Sequence, residues 1–201
     1  MADHPFDLST AARLGDPWLA PTENLARAFH LLDHYEPADA TQEEFQRRML
    51  DLIERHPQDA HRRSLLEGHL TASALVVDAH FERALLTHHR KLDRWLQLGG
   101  HCDGDANLAH VALREATEES GIPDLAVLPV PIDLDIHAIP ARGAEPEHFH
   151  YDTRFLVIAP PGAVEVLSEE SHALRWIASH ELGGLAADLS LRRLFQLVFG
   201  A

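Results

Sequence analysis

The stretch REATEES, residues 114–120, places three glutamates and one arginine within seven positions. On a helix, Glu115 lies one turn from Glu118 and Glu119, at i+3 and i+4, so the three carboxylates can share one side. Leu108, Ala112, Leu113 and Ala116 take much of the other side, where they can pack on a sheet. Arg114 stands four residues before Glu118, a spacing at which the two can pair. Three carboxylates on one side form a hard-oxygen site that suits Mg²⁺ or Mn²⁺. By spacing alone, a solvated acidic helix face fits equally well. The Gly99-Gly100 pair upstream favours the metal reading, because a turn without side chains can bring a backbone carbonyl beside the acids.

A second chemistry comes from histidine, of which the chain has 16. On a strand over 148–158, His148, His150, Asp152 and Arg154 alternate onto one face, and Phe149, Tyr151, Thr153 and Phe155 onto the other. His101, just after the glycine pair, can face the same cleft. His101, His150 and Arg154 are therefore candidates to bind substrate, with a second metal as another use of the histidines. A solvated edge strand with satisfied histidines is the bland alternative. Trp95, Phe149 and Tyr151 have the size to stack on a base, but each fits core packing too. Cys102 beside His101 invites a nucleophile reading; with no oxyanion-hole signature and a metal motif alongside, that reading is disfavoured.

The elements that must hold these groups are legible in outline. ANLAHVALREATEES reads as a helix, stopped by Gly121 and Pro123. Strands are expected in HLTASALVVD, HFERALLTHH and RWLQLGGH, the last ending in a Gly-Gly turn. HFHYDTRFLVIAP and HALRWIAS also read as strands, and the proline-interrupted AVLPVPIDLDIHAIP as an edge or bulged one. SHELGGLAADL and SLRRLFQLVFG read as helical. Residues 1–66 read as helices, with Thr22 a candidate cap and Thr41 with Glu44 a capping box ahead of the stripe Phe45, Met49, Leu52, Ile53. This order predicts an α+β fold with a mixed β-sheet in an α/β/α sandwich, preceded by an N-terminal helical extension over 1–66. The extension is either packed on the domain of residues 67–201 or independent, and it is a candidate dimerisation element.

Composition sets limits. With 201 residues, 45% hydrophobic and 24% charged, the chain can bury a substantial core. A net charge of −15 argues against a nucleic-acid backbone as partner. An acidic protein that handles phosphates usually needs divalent ions to bridge like charges. One cysteine permits no internal disulfide. The N-terminus lacks a signal-peptide pattern and no long apolar run exists, so a cytoplasmic protein without a membrane span is expected.

The segment GGHCDGDANLAHVALREATEESGI, residues 99–122, resembles the Nudix box, Gx5Ex7REUxEExGU with U bulky and apolar. Gly100 matches the leading glycine, and Arg114, Glu115, Ala116, Glu118, Glu119, Gly121 and Ile122 match the C-terminal half. The box expects a glutamate at its seventh position, where this chain has Ala106; Asp105, one residue earlier, either replaces it or caps the helix. The resemblance covers about residues 68–185. It implies a hydrolase that cleaves the diphosphate bond of a nucleoside diphosphate linked to a group X, with water attacking phosphorus. It also implies Mg²⁺ or Mn²⁺ on Glu115, Glu118 and Glu119, with the Gly100 carbonyl as a further ligand, and Arg114 organising the glutamates. Glu119 is one candidate general base, and Glu169 and Glu170, in LSEESHALRW, are others. ADP-ribose-like, dinucleoside polyphosphate and nucleoside triphosphate substrates stay open: the proline marker of the ADP-ribose group is off register, with His137 in its place and Pro140 nearest. Two other readings stand beside this one. One is a non-catalytic nucleotide-binding Nudix domain that regulates a partner. The other is an enzyme like isopentenyl-diphosphate isomerase, which shares the fold and uses histidines and glutamates for a metal.

Overall fold

A computed structural model describes residues 6–90, 92–143, 146–169, 171–185 and 187–200. In chain order the elements are α1 (Ala26–Asp33), α2 (Ala40–Arg55), β1 (Gly68–Val77), β2 (Arg83–His89), β3 (Arg94–Leu96), β4 (Leu98–His101) and α3 (Leu108–Ser120), then β5 (Ala126–Val127), β6 (Asp133–Ile139), β7 (His148–Ile158), β8 (Ser171–Ala178) and α4 (Leu189–Phe199).

The sheet is mixed. Its main path runs β3-β2-β1-β7-β5, with β4 also on β1, β6 also on β7, and β8 on β2. β1 and β7 run parallel from Gly68 opposite Phe149 to Val77 opposite Ile158. β1 is buried along its whole length, as expected of a parallel strand covered on both faces. β7 is therefore central, which removes the solvated-edge reading of its histidines. β6 pairs with β7 alone and forms an edge; Pro129 and Pro131 fall in the gap between β5 and β6, where no ladder amide is needed. Gly99 and Gly100, expected as a turn, lie inside β4 opposite Ser73 and Ala72. They are glycines because the strands approach closely: a Cβ on Gly99 would collide with Ser73.

Alternation along β1 separates two layers. Leu70, Ala72 and Ala74 face a core that includes Leu108, Val111, Ala112, Leu113 and Ala116 of α3. Leu75 and Val77, with Leu156, face Leu191, Leu194 and Phe195 of α4. The result is the expected α/β/α sandwich. The N-terminal segment is packed into the first layer: Leu32, Met49, Leu52 and Ile53 join the α3 core. The Gln42 side chain both donates to the Leu134 carbonyl and accepts from its amide, and Ala12 bridges Val127.

Local starts differ from expectation where a stronger acceptor sits nearby. The carboxylate of Asp39 accepts the amides of Thr41 and Gln42, so α2 begins ahead of the Thr41–Glu44 box; Glu44 pairs with Arg47 instead. Asn24, not Thr22, accepts the first amide of α1, from Ala26. Residues Ser179–Gly184 form a 3₁₀ turn. Among the described residues no helix is long and apolar enough to cross a membrane.

Candidate functional site

α3 is fixed at both ends. Asn107 accepts the His110 amide at its start, and Gly121, left-handed at φ 64°, donates to the Thr117 carbonyl at its end. Asp105 is drawn into the same start. Its carboxylate accepts from the amides of Thr22 (3.0 Å) and Asn107 (2.9 Å) and lies 2.6 Å from His110 Nδ1. Burial acts to raise its pKa, but these hydrogen bonds outweigh it and hold the carboxyl below the usual range. Asp105 thus organises the helix start and the N-terminal segment.

Ala106 is fully buried in the α3 core, and its amide donates to the Thr22 carbonyl. A glutamate at this position would bury a carboxylate among apolar side chains. Ala106→Glu is expected to cost about 3 kcal/mol or more, a fall in Tm of roughly 6–12 °C, without raising activity. A melting curve beside a rate assay checks this; a variant as stable as wild type and faster would contradict it.

The acids take graded positions. Glu119 is buried, Glu115 half-buried and Glu118 exposed. Arg114 does not pair with Glu118. It donates to Glu115 Oε1 (2.6 Å) and to the His101 carbonyl (2.9 Å), so it clamps the helix onto β4. The backbone of Gly100 lies against the Glu115 carboxylate so closely that a Cβ there would fall on it. Among the described residues the three glutamates do not have oxygens gathered within 4.8 Å of one another, so sharing one ion needs rotamer changes. Glu169 is exposed in a turn; Glu170 lies outside the described residues.

On the other face of β4 the histidines assemble. Register places His69 opposite His150, His150 opposite His137 and His101 opposite Thr71, all on one face. The His69 ring lies 5.2 Å from His101, 5.1 Å from His148 and 5.0 Å from His150, and His101 and His150 are 5.0 Å apart. Ring nitrogens of His69, His101 and His150 all fall within 4.8 Å of one another. Burial pushes the His69 pKa down to about 4 and the His150 pKa down to about 2, and the neighbouring imidazoles add to both shifts. Both rings are therefore neutral near pH 7 and carry free lone pairs. Sequence reasoning found His101, His148 and His150 but missed His69 and His137, which join only through strand register.

One row further along the sheet the same face is ionic. Thr71 and Ser73 donate hydroxyls to Asp152. Arg154, expected on the cleft wall, is only 2% exposed. Its guanidinium is held by Asp133, Asp135 and Asp152 at 3.0–3.1 Å, which places it in a buried ion cluster out of reach of a substrate. Phe149 is partly exposed but on the opposite face, and Tyr151 is core. Cys102 is buried, and burial pushes its thiol well above the usual range, so it is no nucleophile. A surface cleft of about 540 Å³ lined by Trp18, Arg27, His30 and Asn107 contains none of these acids or clustered histidines.

The NUDIX domain model matches residues 68–197. The chain belongs to the Nudix family. The match spans the sheet, the box on β4 and α3, and most of α4, and leaves the N-terminal helices outside. A sequence search of curated proteins found no match. Among solved structures, the chain is similar to a Caenorhabditis elegans Ap4A hydrolase in a binary complex, at 17% identity and TM-score 0.54, over 65% of this chain and 95% of that one. It is also similar to the NUDIX domain of Shewanella oneidensis NrtR complexed with ADP ribose, at 15% identity and TM-score 0.50, over 73% and 96%. At these identities the similarity is one of fold, and the Nudix fold here carries its box with Ala106 in the place of one glutamate.

Proposed function

We propose that this Nudix protein hydrolyses the diphosphate bond of a nucleoside diphosphate linked to X, with Mg²⁺ or Mn²⁺ held by Glu115, Glu118 and Glu119 beside the Gly100 backbone. The observation that carries the reading is the seating of the Glu115 carboxylate directly on Gly100, with Arg114 fixing that carboxylate and the β4 backbone together. The donor set fits: anionic oxygens on one flank of a rigid helix, graded from buried to exposed, suit a hard divalent ion that retains waters.

A divalent ion held there would supply charge to neutralise the diphosphate and to lower the pKa of water. The chain's own residues do the rest. Arg114 keeps Glu115 in one rotamer and ties α3 to the strand that carries Gly100. Glu119, buried on the same flank, is the residue positioned to take a proton from the attacking water. Glu118, at the solvent edge, closes the set where substrate arrives. ADP-ribose-like compounds, dinucleoside polyphosphates and nucleoside triphosphates are the classes to screen with Mg²⁺ and Mn²⁺. Turnover that depends on the metal supports the reading, and tight nucleotide binding without turnover would replace it with a regulatory domain.

His101 and His150 lie on the sheet face opposite Glu115 and the acidic helix, so we leave them out of the diphosphate site. His150→Ala is therefore expected to change kcat/KM by less than about ten-fold, the smaller end of what loss of a contacting group costs. A larger loss would return His150 to the substrate.

A further inference from the structure

The histidine cluster is a second site, separate from the acidic helix. We propose that His69, His101 and His150 bind a divalent transition ion of the Zn²⁺ class through ring nitrogens, with His148 as the fourth imidazole.

Geometry carries this inference. Three potential ligand atoms from β1, β4 and β7 already lie within 4.8 Å of one another, whereas tetrahedral Zn–N bonds of about 2.1 Å set ligands roughly 3.4 Å apart. Small χ changes close that gap. His69 forms a buried floor; His101 and His150 keep partial exposure, which gives an entry side. The buried nitrogens give a second, independent reason. Among the described residues the Nε2 atoms of His148 and His150 have no hydrogen-bond partner, and the His69 ring nitrogens have only a poorly aligned interaction with the Leu65 backbone. Buried polar atoms are nearly always paired, so unpartnered nitrogens on three neighbouring rings indicate a missing partner. Each neutral imidazole has one N–H and one lone pair, and lone pairs on adjacent rings can be shared by a single cation.

The ring orientations fit the same conclusion. His148 Nδ1 is 2.9 Å from the Pro146 carbonyl, which turns Nε2 inward. His137 Nδ1 is 2.9 Å from Asp135 Oδ2, and its ring meets His150 edge-on at 5.5 Å. Backbone or carboxylate anchoring of one nitrogen to present the other is how metal-ligating histidines are oriented. The ligand type separates the sites chemically. Borderline nitrogens on one face of β4 prefer Zn²⁺ or Co²⁺, while the glutamates on the other face prefer Mg²⁺. Gly100 faces Glu115 and the adjacent His101 faces His69, so the two sites sit back to back across one strand, joined by the bond from Arg114 to the His101 carbonyl.

The test uses the full chain, metal-stripped, titrated with Co²⁺ in excess Mg²⁺ and followed by visible absorption, with Zn²⁺ as competitor. The exposed His30–His34 pair on α1, with rings 4.1 Å apart, is a two-imidazole competitor, so both residues are replaced by Gln in the background. The expected result is one equivalent of Co²⁺ with the ligand-field bands of a low-coordinate nitrogen site, displaced by Zn²⁺. His69→Gln and His101→Gln, checked for folding by circular dichroism, each weaken binding by about 100-fold or more, and His137→Ala by roughly 10–100-fold. Glu118→Gln leaves the bands in place. Absence of the bands in the background protein, survival in both folded histidine variants, or loss in Glu118→Gln would each overturn the proposal. Because the readout is Co²⁺ absorption, its failure is distinct from failure of the hydrolase reading.

Discussion

Glu118→Gln is expected to lower kcat/KM by about 10²–10³-fold while moving the unfolding free energy by less than roughly 0.5 kcal/mol. Glu118 is exposed and makes no hydrogen bond or ion pair among the described residues, and Arg114 feels only its field. Gln keeps its size and helix compatibility, so the substitution removes one charge and nothing else. Glu115→Gln would be a poorer test, because Glu115 also receives Arg114 and lies on Gly100. Loss of that clamp would mix a structural effect with a metal effect. Full activity in Glu118→Gln would remove this acid from the site. A large loss with unchanged stability would place charge at the exposed end of α3 in the reaction itself. The pairing with Tm matters, because an activity loss accompanied by unfolding would not separate the two.

The acidic helix was legible because its parts are local. Helical spacing, the Gly121 stop and the box spacing all lie within residues 99–122, and the structure places them on one helix and its leading strand. Alternation on β7 likewise put His148, His150, Asp152 and Arg154 on one face. What sequence could not supply is partner identity across strands. His69 joins His150 only through the parallel register of β1 with β7, and a slip of one residue would send it to the α3 core. His137 sat in a proline-broken segment that gave no register at all. Arg154 was misplaced for a similar reason. A polar face on a strand looks like a cleft wall until the aspartates of the neighbouring β6 strand are known to cover it. Arg114 was paired with the wrong glutamate because i,i+4 spacing weighs only helix neighbours, whereas the carbonyl of His101 on β4 pulls the guanidinium the other way.

Arg154→Met is expected to cost about 3–5 kcal/mol, a fall in Tm of roughly 6–20 °C. The guanidinium is 2% exposed and contacts Asp133, Asp135 and Asp152 at once. Arg193 on α4 reaches Asp133 and Asp135 but not Asp152, so removal of Arg154 leaves buried carboxylates with too little positive charge. Met fills much of the same volume, so the loss is electrostatic rather than a cavity. The Asp135 share of the pH dependence has a definite sign, while Asp133, whose pKa burial raises, acts in the opposite direction. Burial acts to raise the Asp135 pKa, but the His137 hydrogen bond and the Arg154 charge outweigh it and hold it down at about 2. A folded pKa below the unfolded value of about 3.9 gives stability that is present above that value and lost as the pH falls towards 2. Because Arg154 supplies part of that depression, the Tm gap between wild type and Arg154→Met should narrow over the same window. Arg154→Lys should fall between the two, since an ammonium keeps the charge but cannot hold three carboxylates with a planar fork. A variant that melts like wild type yet loses catalysis would return Arg154 to the substrate; a variant that melts early, and less so in acid, would make it the pin that holds β6 and β7 together beneath the histidines.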